Sequence, residues 1–436
     1  MPYDIIIGRD KADLEKFGTK GLIYLGKGYV RMGEYVSLSN MIWMDVVRSH
    51  VVMVAGKRGS GKSYTLAAIA EEICDLPEEV SQNIAPLIFD TMGIFWTMKF
   101  KNEKEAELLQ EWGLKPKSLP VVVWVPYGYF EEYEKRQVSV DKKFAIKASE
   151  LAVEDWIITF NLSITDPIAI VIQRAIKELS EEKESYDIDD IINKIKKQET
   201  EERTKEGAIA LFEAAKTWKI FAEKGQKGTE IKELIVPGKS TVLDVSCYSP
   251  IGTFNVRALV LGLVCKKLFN ERMLARKKEE MIALQHGISY LSAMEKRETP
   301  LAWIFIDEMH EFIPKEGKTA ATDAIIQLLR EGRQPGISLV FATQQPGVIH
   351  RDAMTQSDIV ISHRVTAQPD IEALNTIMQT YLLESIRKSM TELPSAKGSA
   401  IILDDNSERI YSIRVRPRFT WHGGESPAAI KIKKEL

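Results

Sequence analysis

A glycine-rich stretch between an apolar run and an amphipathic run constrains this chain more than any other part of its sequence. Residues 50–72 read HVVMVAGKRGSGKSYTLAAIAEE, and the GKRGSGKS within them fits G-x-x-x-x-G-K-[ST] at Gly56, Gly61, Lys62 and Ser63. The apolar run before the loop predicts a buried parallel strand, and the residues after Lys62 predict a helix. This order of strand, loop and helix is the context that a phosphate-binding loop requires.

The side chains of this loop indicate how a nucleotide would be held. The glycines, Gly59 among them, allow backbone N–H groups to point at phosphate oxygens, and the start of the helix adds a positive end. We expect Lys62 to contact the β- and γ-phosphates of ATP and Ser63 to hold Mg²⁺ through its hydroxyl. Ser60 and Tyr64 complete the predicted nucleotide-binding set. The pattern alone leaves kinases, GTPases and motors open, and a turn that binds nothing is the alternative.

Composition excludes several other classes of protein. The chain has 436 residues and 44% hydrophobic residues, which suffice for a large core. Its net charge of -3 means that any DNA contact must come from local patches. The three cysteines form no C-x-x-C, and the histidines show no metal-ligand spacing. No signal peptide opens the chain and no apolar run reaches roughly 18 residues, so a cytoplasmic location is expected.

Strand and helix patterns alternate along most of the chain. After the loop, further apolar runs predict strands at 87–90, 121–126, 240–246, 301–308, 338–345 and 358–365. Alternation with helices predicts an α/β fold whose mainly parallel sheet is covered on both faces. The predicted division is a short β-rich segment at 1–47, a core at 48–148, a four-helix insertion at 149–222, the rest of the core at 223–405, and a hairpin with tail at 406–436.

A second constellation lies at the end of a later predicted strand. IFIDEMHEF places Asp307 and Glu308 directly after four apolar residues, at the carboxyl end of the strand, where ligands bind in such sheets. We expect Asp307 to hold Mg²⁺ and Glu308 to deprotonate the attacking water. Such a glutamate favours ATP hydrolysis over phosphate transfer to a metabolite. A strand followed by a capped turn is the alternative.

Two further motifs suit the same chemistry. FATQQ ends a strand on polar residues, and its Gln344 could sense the γ-phosphate or position water, or it could simply hydrogen-bond its neighbours. REGRQPG ends a helix with Arg330 and Arg333. An arginine at the rim of one subunit could stabilise transition-state charge in a neighbour, or it could satisfy the helix dipole.

Taken together, these segments resemble the HerA family of hexameric DNA-translocating ATPases, within the HerA and FtsK group. The matching segments are GKRGSGKS, IFIDEMHEF, REGRQPGISLVFATQQP, TQSD with ISHRV, and VRPRFTWHGG, in the same order over residues 48–424. The resemblance implies a RecA-like P-loop NTPase core with an inserted helical bundle.

The resemblance also carries roles onto individual residues. Gln344 matches the sensor glutamine, and Arg333 matches the arginine that acts on the neighbouring subunit. Asp90, which ends LIFD, matches an acid near the nucleotide, and a strand-end cap is its alternative. Weaker matches fall on Arg48 or His50 and on Arg364.

For partners, the resemblance implies a hexameric homo-oligomer and double-stranded DNA. Family members carry an N-terminal β-barrel on which the nuclease NurA docks. The segment before the core here has fewer than 50 residues, which puts that pairing in question. Lys99 and Lys101 could lie on a pore loop or on an ordinary exposed loop. Three arginines alternate in the tail and could bind DNA phosphates or brace an adjacent subunit: Arg414, Arg416 and Arg418.

Three functions follow, in order of preference. The first is an ATP-driven hexameric translocase of double-stranded DNA in end processing, repair or a related defence system. The second is a secretion or conjugation ATPase that drives transport at a membrane. The third is a nucleotide-controlled scaffold for an effector enzyme.

Overall fold

The predicted apolar strands form the centre of one large sheet. The computed structural model describes residues 3–32, 35–248, 254–287, 296–365, 367–377 and 383–424. Its strands are β1 (Ile5–Ile7), β2 (Leu22–Met32), β3 (Tyr35–Asp45), β4 (Val51–Ala55), β5 (Ile84–Asp90), β6 (Val121–Pro126), β7 (Lys142–Phe144), β8 (Ser240–Asp244), β9 (Leu301–Ile306), β10 (Ile337–Thr343), β11 (Ile359–His363), β12 (Ser399–Asp404) and β13 (Arg409–Val415).

Helices connect these strands and cover both faces of the sheet. They are α1 (Lys11–Phe17), α2 (Lys62–Cys74), α3 (Glu78–Ser81), α4 (Ala106–Glu111), α5 (Phe130–Lys135), α6 (Val153–Thr159), α7 (Pro167–Glu182), α8 (Ile188–Lys196), α9 (Glu202–Lys216), α10 (Ile231–Leu234), α11 (Val256–His286), α12 (Thr322–Glu331), α13 (Arg351–Thr355), α14 (Gln368–Ile377) and α15 (Leu383–Glu392).

The sheet has a parallel part and an antiparallel part. Its order is β1-β3-β2-β13-β12-β11-β4-β10-β9-β5-β8-β6-β7. All neighbours from β11 to β7 are parallel, whereas β12, β13, β2 and β3 pair antiparallel. The mainly parallel α/β fold predicted from the sequence is confirmed. The loops that follow β4, β9 and β10 therefore lie at the same side of the sheet, at the carboxyl ends of these parallel strands, which we call the carboxyl edge.

Alternate residues of the central strands face two separate apolar layers. In β4, Val52 and Val54 pack with α2, whereas Met53 and Ala55 pack with the helices of the opposite face. Both layers are closed to solvent, and every residue of β5 and β10 is buried. Burial on both faces is the reason that these strands read as continuous apolar runs.

Four helices, α6 to α9, occupy the region predicted as a helical insertion. Their apolar faces share one layer with the sheet, where Trp156 is fully buried and its ring lies 5.0 Å from that of Phe212 and 5.2 Å from that of Phe221. Rings of this kind dominate the energy of a core because each removes a large apolar surface from water. These helices are therefore packed onto the parallel sheet.

The N-terminal segment extends the same sheet, which its sequence did not indicate. A short β-rich segment was predicted at 1–47, but β2 and β3 each have 11 residues, and β2 pairs with β13 near the other end of the chain. A Cβ at Gly26 would lie 2.2 Å from the Arg414 carbonyl oxygen, so a glycine is needed for this close approach. The tail hairpin is formed by β12 and β13.

Among the described residues, no helix is both long enough and apolar enough to cross a membrane.

Candidate active site

The predicted phosphate loop links the carboxyl end of β4 to the amino end of α2. Gly61 stands before the helix with φ 110°, a conformation that residues with a Cβ rarely adopt. A Cβ at Gly56 would lie 2.4 Å from Ser60 Oγ, so the loop is tightly curled. Around Gly59, by contrast, no heavy atom of the described residues lies within 4 Å of an added Cβ. The loop is therefore crowded at Gly56 and unobstructed at Gly59.

Two residues at the start of α2 connect the loop to β9. Lys62 is buried, and its Nζ donates to the Lys57 carbonyl oxygen of its own loop at 3.2 Å. Burial lowers the pKa of Lys62, while the charges of Glu308 and Asp307 act in the opposite direction. Ser63 Oγ donates to Asp307 Oδ2 at 2.5 Å. The loop and the acid pair predicted from separate motifs thus meet.

The acid pair and the predicted sensor glutamine form one connected group. Asp307 is buried, which raises the pKa of its carboxyl together with the charge of Glu308, against the Ser63 hydrogen bond. Gln344 Nε2 donates to Glu308 Oε1. Glu308 Oε2 is buried and has no hydrogen-bond partner among the described residues, and His310 Nδ1 lies 3.6 Å from it. One carboxylate oxygen of Glu308 is held, and the other is available.

The donor set fits a nucleotide and its metal ion. Ser60 Oγ and Glu308 Oε2 are buried polar atoms without a protein partner in the described part of the chain, which suits a polar ligand between them. Within the same residues, no group of three or more histidines, cysteines and acids is placed to hold a metal. Ser63 and Asp307 supply two oxygens, so phosphate and water would complete a Mg²⁺ shell.

Tyr64 and Asp90 belong to the predicted set but direct their side chains elsewhere. The Tyr64 hydroxyl donates to Glu105 and accepts from the Arg418 N–H at 2.7 Å, so only the Tyr64 backbone remains for phosphate. Asp90 accepts N–H bonds from Gly93 and Phe95, both at 2.7 Å. These bonds are those of a strand-end cap, and a nucleotide contact of Asp90 remains a prediction.

A second buried carboxylate beside Asp90 was not anticipated. Asp244 ends β8, and its Cα is the register partner of the Cα of Asp90. Burial, together with the charge of Asp244, raises the pKa of Asp90 to about 8. The two acids therefore hold a proton near neutral pH, close to the edge that carries Asp307.

The two arginines of REGRQPG have different environments. Arg330 forms an ion pair with Asp352 at 2.6 Å, which is a role within the chain. Arg333 is exposed, and its side chain has no hydrogen bond or ion pair to any described residue. It precedes β10, whereas Gln344 follows β10. Seven strand residues at about 3.3 Å each separate them by roughly 20 Å. Arg333 cannot reach the nucleotide site of its own chain.

The tail arginines require a correction. Only Arg414 lies on a strand, so the three do not share one face. Arg416 and Arg418 are buried and pair with Glu71 of α2 at 3.1 and 3.0 Å. Neither guanidinium is free for DNA or for a neighbouring subunit, because Glu71 pairs with both inside the chain and Glu72 pairs with Arg416 as well.

Four other basic candidates are also directed away from the loop. Lys99 pairs with Asp141 at 2.6 Å, and Arg364 donates to the Leu393 carbonyl oxygen at 2.8 Å. Arg48 and His50 stand at the amino end of β4, the end remote from the loop. Arg48 pairs with Asp13 at 2.6 Å, and His50 pairs with Asp45 and Asp358 at 3.1 and 2.6 Å. These matches do not place a basic group at the nucleotide.

One residue of this site was missed by sequence reasoning. His363 ends β11, is fully buried, and bonds Thr65 of α2. Its signal was present in DIVISHRV, where an apolar strand ends on polar residues as the strands before Asp307 and Gln344 do. Arg364 was the predicted residue of that motif, whereas the histidine beside it contacts α2.

Related sequences fall into a consistent group. The family described as Helicase HerA, central domain, matches residues 33–264, more than half of the chain, and the family described as zonular occludens toxin (Zot) matches residues 250–392. A probable helicase of Methanocaldococcus jannaschii, MJ1565, is 23% identical over 400 residues, covering 87% of this chain and 65% of that protein. The DNA double-strand break repair helicase HerA of Pyrococcus furiosus is 25% identical over 184 residues, covering 39% of this chain and 31% of that protein. The chain thus spans less than two thirds of either relative.

Solved structures share the fold. VirB4 of Thermoanaerobacter pseudethanolicus has a TM-score of 0.56 at 13% identity, covering 92% of this chain and 97% of that chain. A trigonal form of the conjugative coupling protein TrwB has a TM-score of 0.51 at 10% identity, covering 93% and 96%. These similarities confirm the predicted RecA-like α/β NTPase fold.

Proposed function

This chain belongs to the HerA family of P-loop ATPases, and from that premise we propose that it is a ring-forming, ATP-driven translocase of double-stranded DNA. The observation that carries the proposal is the Ser63–Asp307 contact at 2.5 Å beside Glu308. It joins a phosphate loop to a metal-binding acid and a water-activating acid. That combination serves hydrolysis, because the phosphoryl acceptor it prepares is water.

Each residue of the site has a task in the proposed hydrolysis. Lys62 would exchange its bond to the loop carbonyl for the β- and γ-phosphates. Ser63 and Asp307 would hold Mg²⁺, which when bound neutralises charge on the phosphate oxygens. Glu308 Oε2 would accept the proton of the attacking water, while Gln344 holds Oε1 and fixes the direction of the carboxylate.

Arg333 supports an assembly of several copies. Its distance from its own site and its exposed side chain, which pairs with none of the described residues, suit an arginine that acts on a neighbour's γ-phosphate. Closed symmetry with one such contact per interface makes a ring, and we propose a hexamer. Each Arg333 would then report the nucleotide state of the adjacent subunit.

Double-stranded DNA is the substrate that we propose for this ring. One relative is named a probable helicase and the other a double-strand break repair helicase, and these names support our proposal of a role in DNA end processing, repair or a related defence system. Contacts to phosphates suit movement along a duplex, since they carry no sequence information. A nuclease or other effector is the proposed partner class.

A transport ATPase is the second candidate, because the fold is shared with VirB4 and with a conjugative coupling protein. Stimulation of hydrolysis by duplex DNA separates the two candidates. A transport ATPase or a nucleotide-controlled scaffold has no need of duplex DNA for turnover.

The test is steady-state ATP hydrolysis with and without linear duplex DNA, at several protein concentrations, in the parent and in Lys62→Ala and Arg333→Ala. We expect strong stimulation by DNA, a steep dependence on protein concentration, and loss of activity in both variants. Arg330→Ala is the matched control, since Arg330 is occupied by Asp352, and it should keep most of the activity. Full activity of Arg333→Ala without any DNA effect in the parent would exclude the ring-shaped DNA motor.

A further inference from the structure

One buried histidine behind the phosphate loop has no part in the hydrolysis proposed above. His363 is the last residue of β11, which lies between β4 and β12 in the sheet, and its side chain is fully buried. Because β11 is parallel to β4, both strands end at the edge where the loop begins. The imidazole is therefore enclosed next to the loop.

The hydrogen bonds of His363 define one tautomer of the ring. Nδ1 lies 3.1 Å from the Ser399 carbonyl oxygen, which can only accept, so Nδ1 carries the proton. Nε2 then accepts the hydroxyl of Thr65 at 2.9 Å. Burial, with the charge of Lys62 and against the Ser399 bond, lowers the pKa of His363 to about 4. The ring is neutral at pH 7, as an acceptor for Thr65 must be.

The side chain of His363 supports both ends of the loop. A Cβ on Gly56 would lie 2.8 Å from His363 Cβ, and one on Gly61 would lie 3.7 Å from His363 Cε1. The next residue along the strand, Arg364, accepts the Lys57 N–H at 3.3 Å through its carbonyl oxygen. Residues 56, 57 and 61 of the loop thus rest on the end of β11.

Thr65 transmits this contact to the residues that would meet phosphate. It is fully buried, and it follows Lys62 and Ser63 in the first turn of α2. Since successive helical residues are separated by a fixed rotation, a fixed Thr65 fixes the directions of Lys62 and Ser63. A helix held only at its far end could rotate or shift at this turn.

We propose that His363 is a positioning residue, which through Thr65 sets the phosphate loop and the first turn of α2 in the geometry that binds the nucleotide. This inference rests on the proposed function, because it assumes that the loop binds ATP. Small displacements of phosphate-binding groups are costly, since several charge-assisted hydrogen bonds must be aligned together.

The test is the dissociation constant of a fluorescent ATP analogue, measured with Mg²⁺ well below the melting temperature. Thr65→Val removes the hydroxyl at constant shape, and we expect affinity to fall about tenfold. Thr65→Ser keeps the hydroxyl and should stay within about threefold of the parent. His363→Leu should match Thr65→Val, whereas His363→Gln, whose amide oxygen can accept from Thr65, should recover most of the affinity.

The double variant Thr65→Val with His363→Leu distinguishes positioning from general damage. Both changes remove one bond, so the double variant should lose about tenfold, not about a hundredfold. Additive losses, or a Thr65→Val protein that binds as tightly as the parent, would overturn the inference. If His363→Leu does not fold, the Val and Ser variants of Thr65 decide alone.

The outcome for the parent protein separates the two proposals. A parent that neither binds nor hydrolyses ATP contradicts the proposed function and this inference with it. A parent that binds and hydrolyses ATP, with affinity unchanged in Thr65→Val, contradicts only the role of His363.

Discussion

The proposed catalytic base has an unfavourable backbone conformation. Glu308 has φ 51° and ψ 47°, the left-handed region, in which a residue with a Cβ costs about 1 kcal/mol. It also places a carboxylate beside the buried carboxyl of Asp307. Strain and like charge at one residue are typical of a position kept for chemistry.

We therefore expect stability and activity to oppose each other at Glu308. Glu308→Asn should be more stable than Glu308→Gln, with a free energy of unfolding about 1 kcal/mol higher, because asparagine tolerates the left-handed region better. Both variants should lose hydrolysis by about 10²–10⁴-fold, since neither has a carboxylate to accept the proton. Urea unfolding and kcat measure the two effects. An asparagine variant less stable than the glutamine variant would show that the backbone stores no strain.

At this scale, the sequence predicts the residues of the site better than their contacts. Lys62, Ser63, Asp307 and Gln344 each follow an apolar strand, so pattern and spacing identify them. The left-handed conformation of Glu308 has no signal in a glutamate. A contact such as Thr65 with His363 joins residues 298 positions apart, which only the strand order brings together.

At the scale of elements, one buried imidazole joins the N-terminal strands to the parallel sheet. His50 directly precedes β4. Its Nε2 lies 3.1 Å from Asp45 Oδ2 at the end of β3, and its Nδ1 lies 2.6 Å from Asp358 Oδ2 before β11. Arg9 also donates to Asp45, at 2.7 Å through Nε, and the Arg48 N–H does so at 2.9 Å. The positive form of His50 is thus held between two acids.

This junction makes stability depend on pH above neutrality. Burial alone would lower the pKa of His50, but the hydrogen bonds to Asp358 and Asp45 raise it to about 9. A folded-state pKa above the unfolded value of 6.5 gives stability that is complete below pH 6.5 and lost as pH rises through 9. The loss should be on the order of 3 kcal/mol. Urea unfolding at pH 6, 7, 8 and 9 measures it.

Two variants isolate the contribution of His50. His50→Gln should be less stable than the parent at pH 6 and nearly equal to it at pH 9, whereas His350→Gln should keep the slope of the parent. The difference between parent and variant matters, because Asp90, with its raised pKa, adds a pH dependence of its own. If the free energy of unfolding depends on pH in the same way in the parent and in His50→Gln, the imidazolium of His50 does not contribute to stability.

Elements are predictable where one property repeats along the chain, and less so where distant segments meet. The central strands and the helices α6 to α9 were predicted because apolar residues recur at strand or helix spacing. The continuation of the sheet through β2 and β13 depends on a close approach at Gly26. The burial of Arg416 depends on Glu71, which lies 345 residues away. Neither dependence is visible in local patterns.

At the scale of the whole molecule, one copy of the chain does not bring Arg333 to its own candidate site. The candidate residues meet at the carboxyl ends of the parallel strands: Lys62, Ser63, Asp307, Glu308 and Gln344. Arg333 stands at the other edge, roughly 20 Å of strand away. If Arg333 acts at the γ-phosphate, as proposed, a functional unit needs two copies, and each copy contributes to two sites.

This arrangement predicts that two inactive variants restore each other. Lys62→Ala lacks the phosphate lysine but keeps Arg333, whereas Arg333→Ala keeps the complete loop. In a ring mixed at equal ratio, roughly a quarter of the interfaces join an intact loop to an intact arginine, because each occurs with probability one half. We expect hydrolysis at up to about a quarter of the parent rate if interfaces act independently. The measurement is ATP turnover after mixing, dissociating and reassembling the variants.

The control is the double variant with both substitutions in one chain, mixed with the parent. It supplies neither group, so it should only dilute intact interfaces and should restore nothing when mixed with Lys62→Ala. Restoration by Lys62→Ala with Arg333→Ala, but not by the double variant with Lys62→Ala, would locate Arg333 at the neighbour's nucleotide. The mixture could instead be as inactive as its components, in rings shown to contain both chains. That result would mean either that Arg333 does not act at the neighbour's nucleotide or that all neighbouring sites must be intact for turnover. A ring with Arg333→Ala in a single subunit distinguishes these two explanations. Turnover near the parent rate would exclude a role of Arg333 at the neighbour's nucleotide. Near-complete loss of turnover would show that the sites hydrolyse ATP in a coupled order.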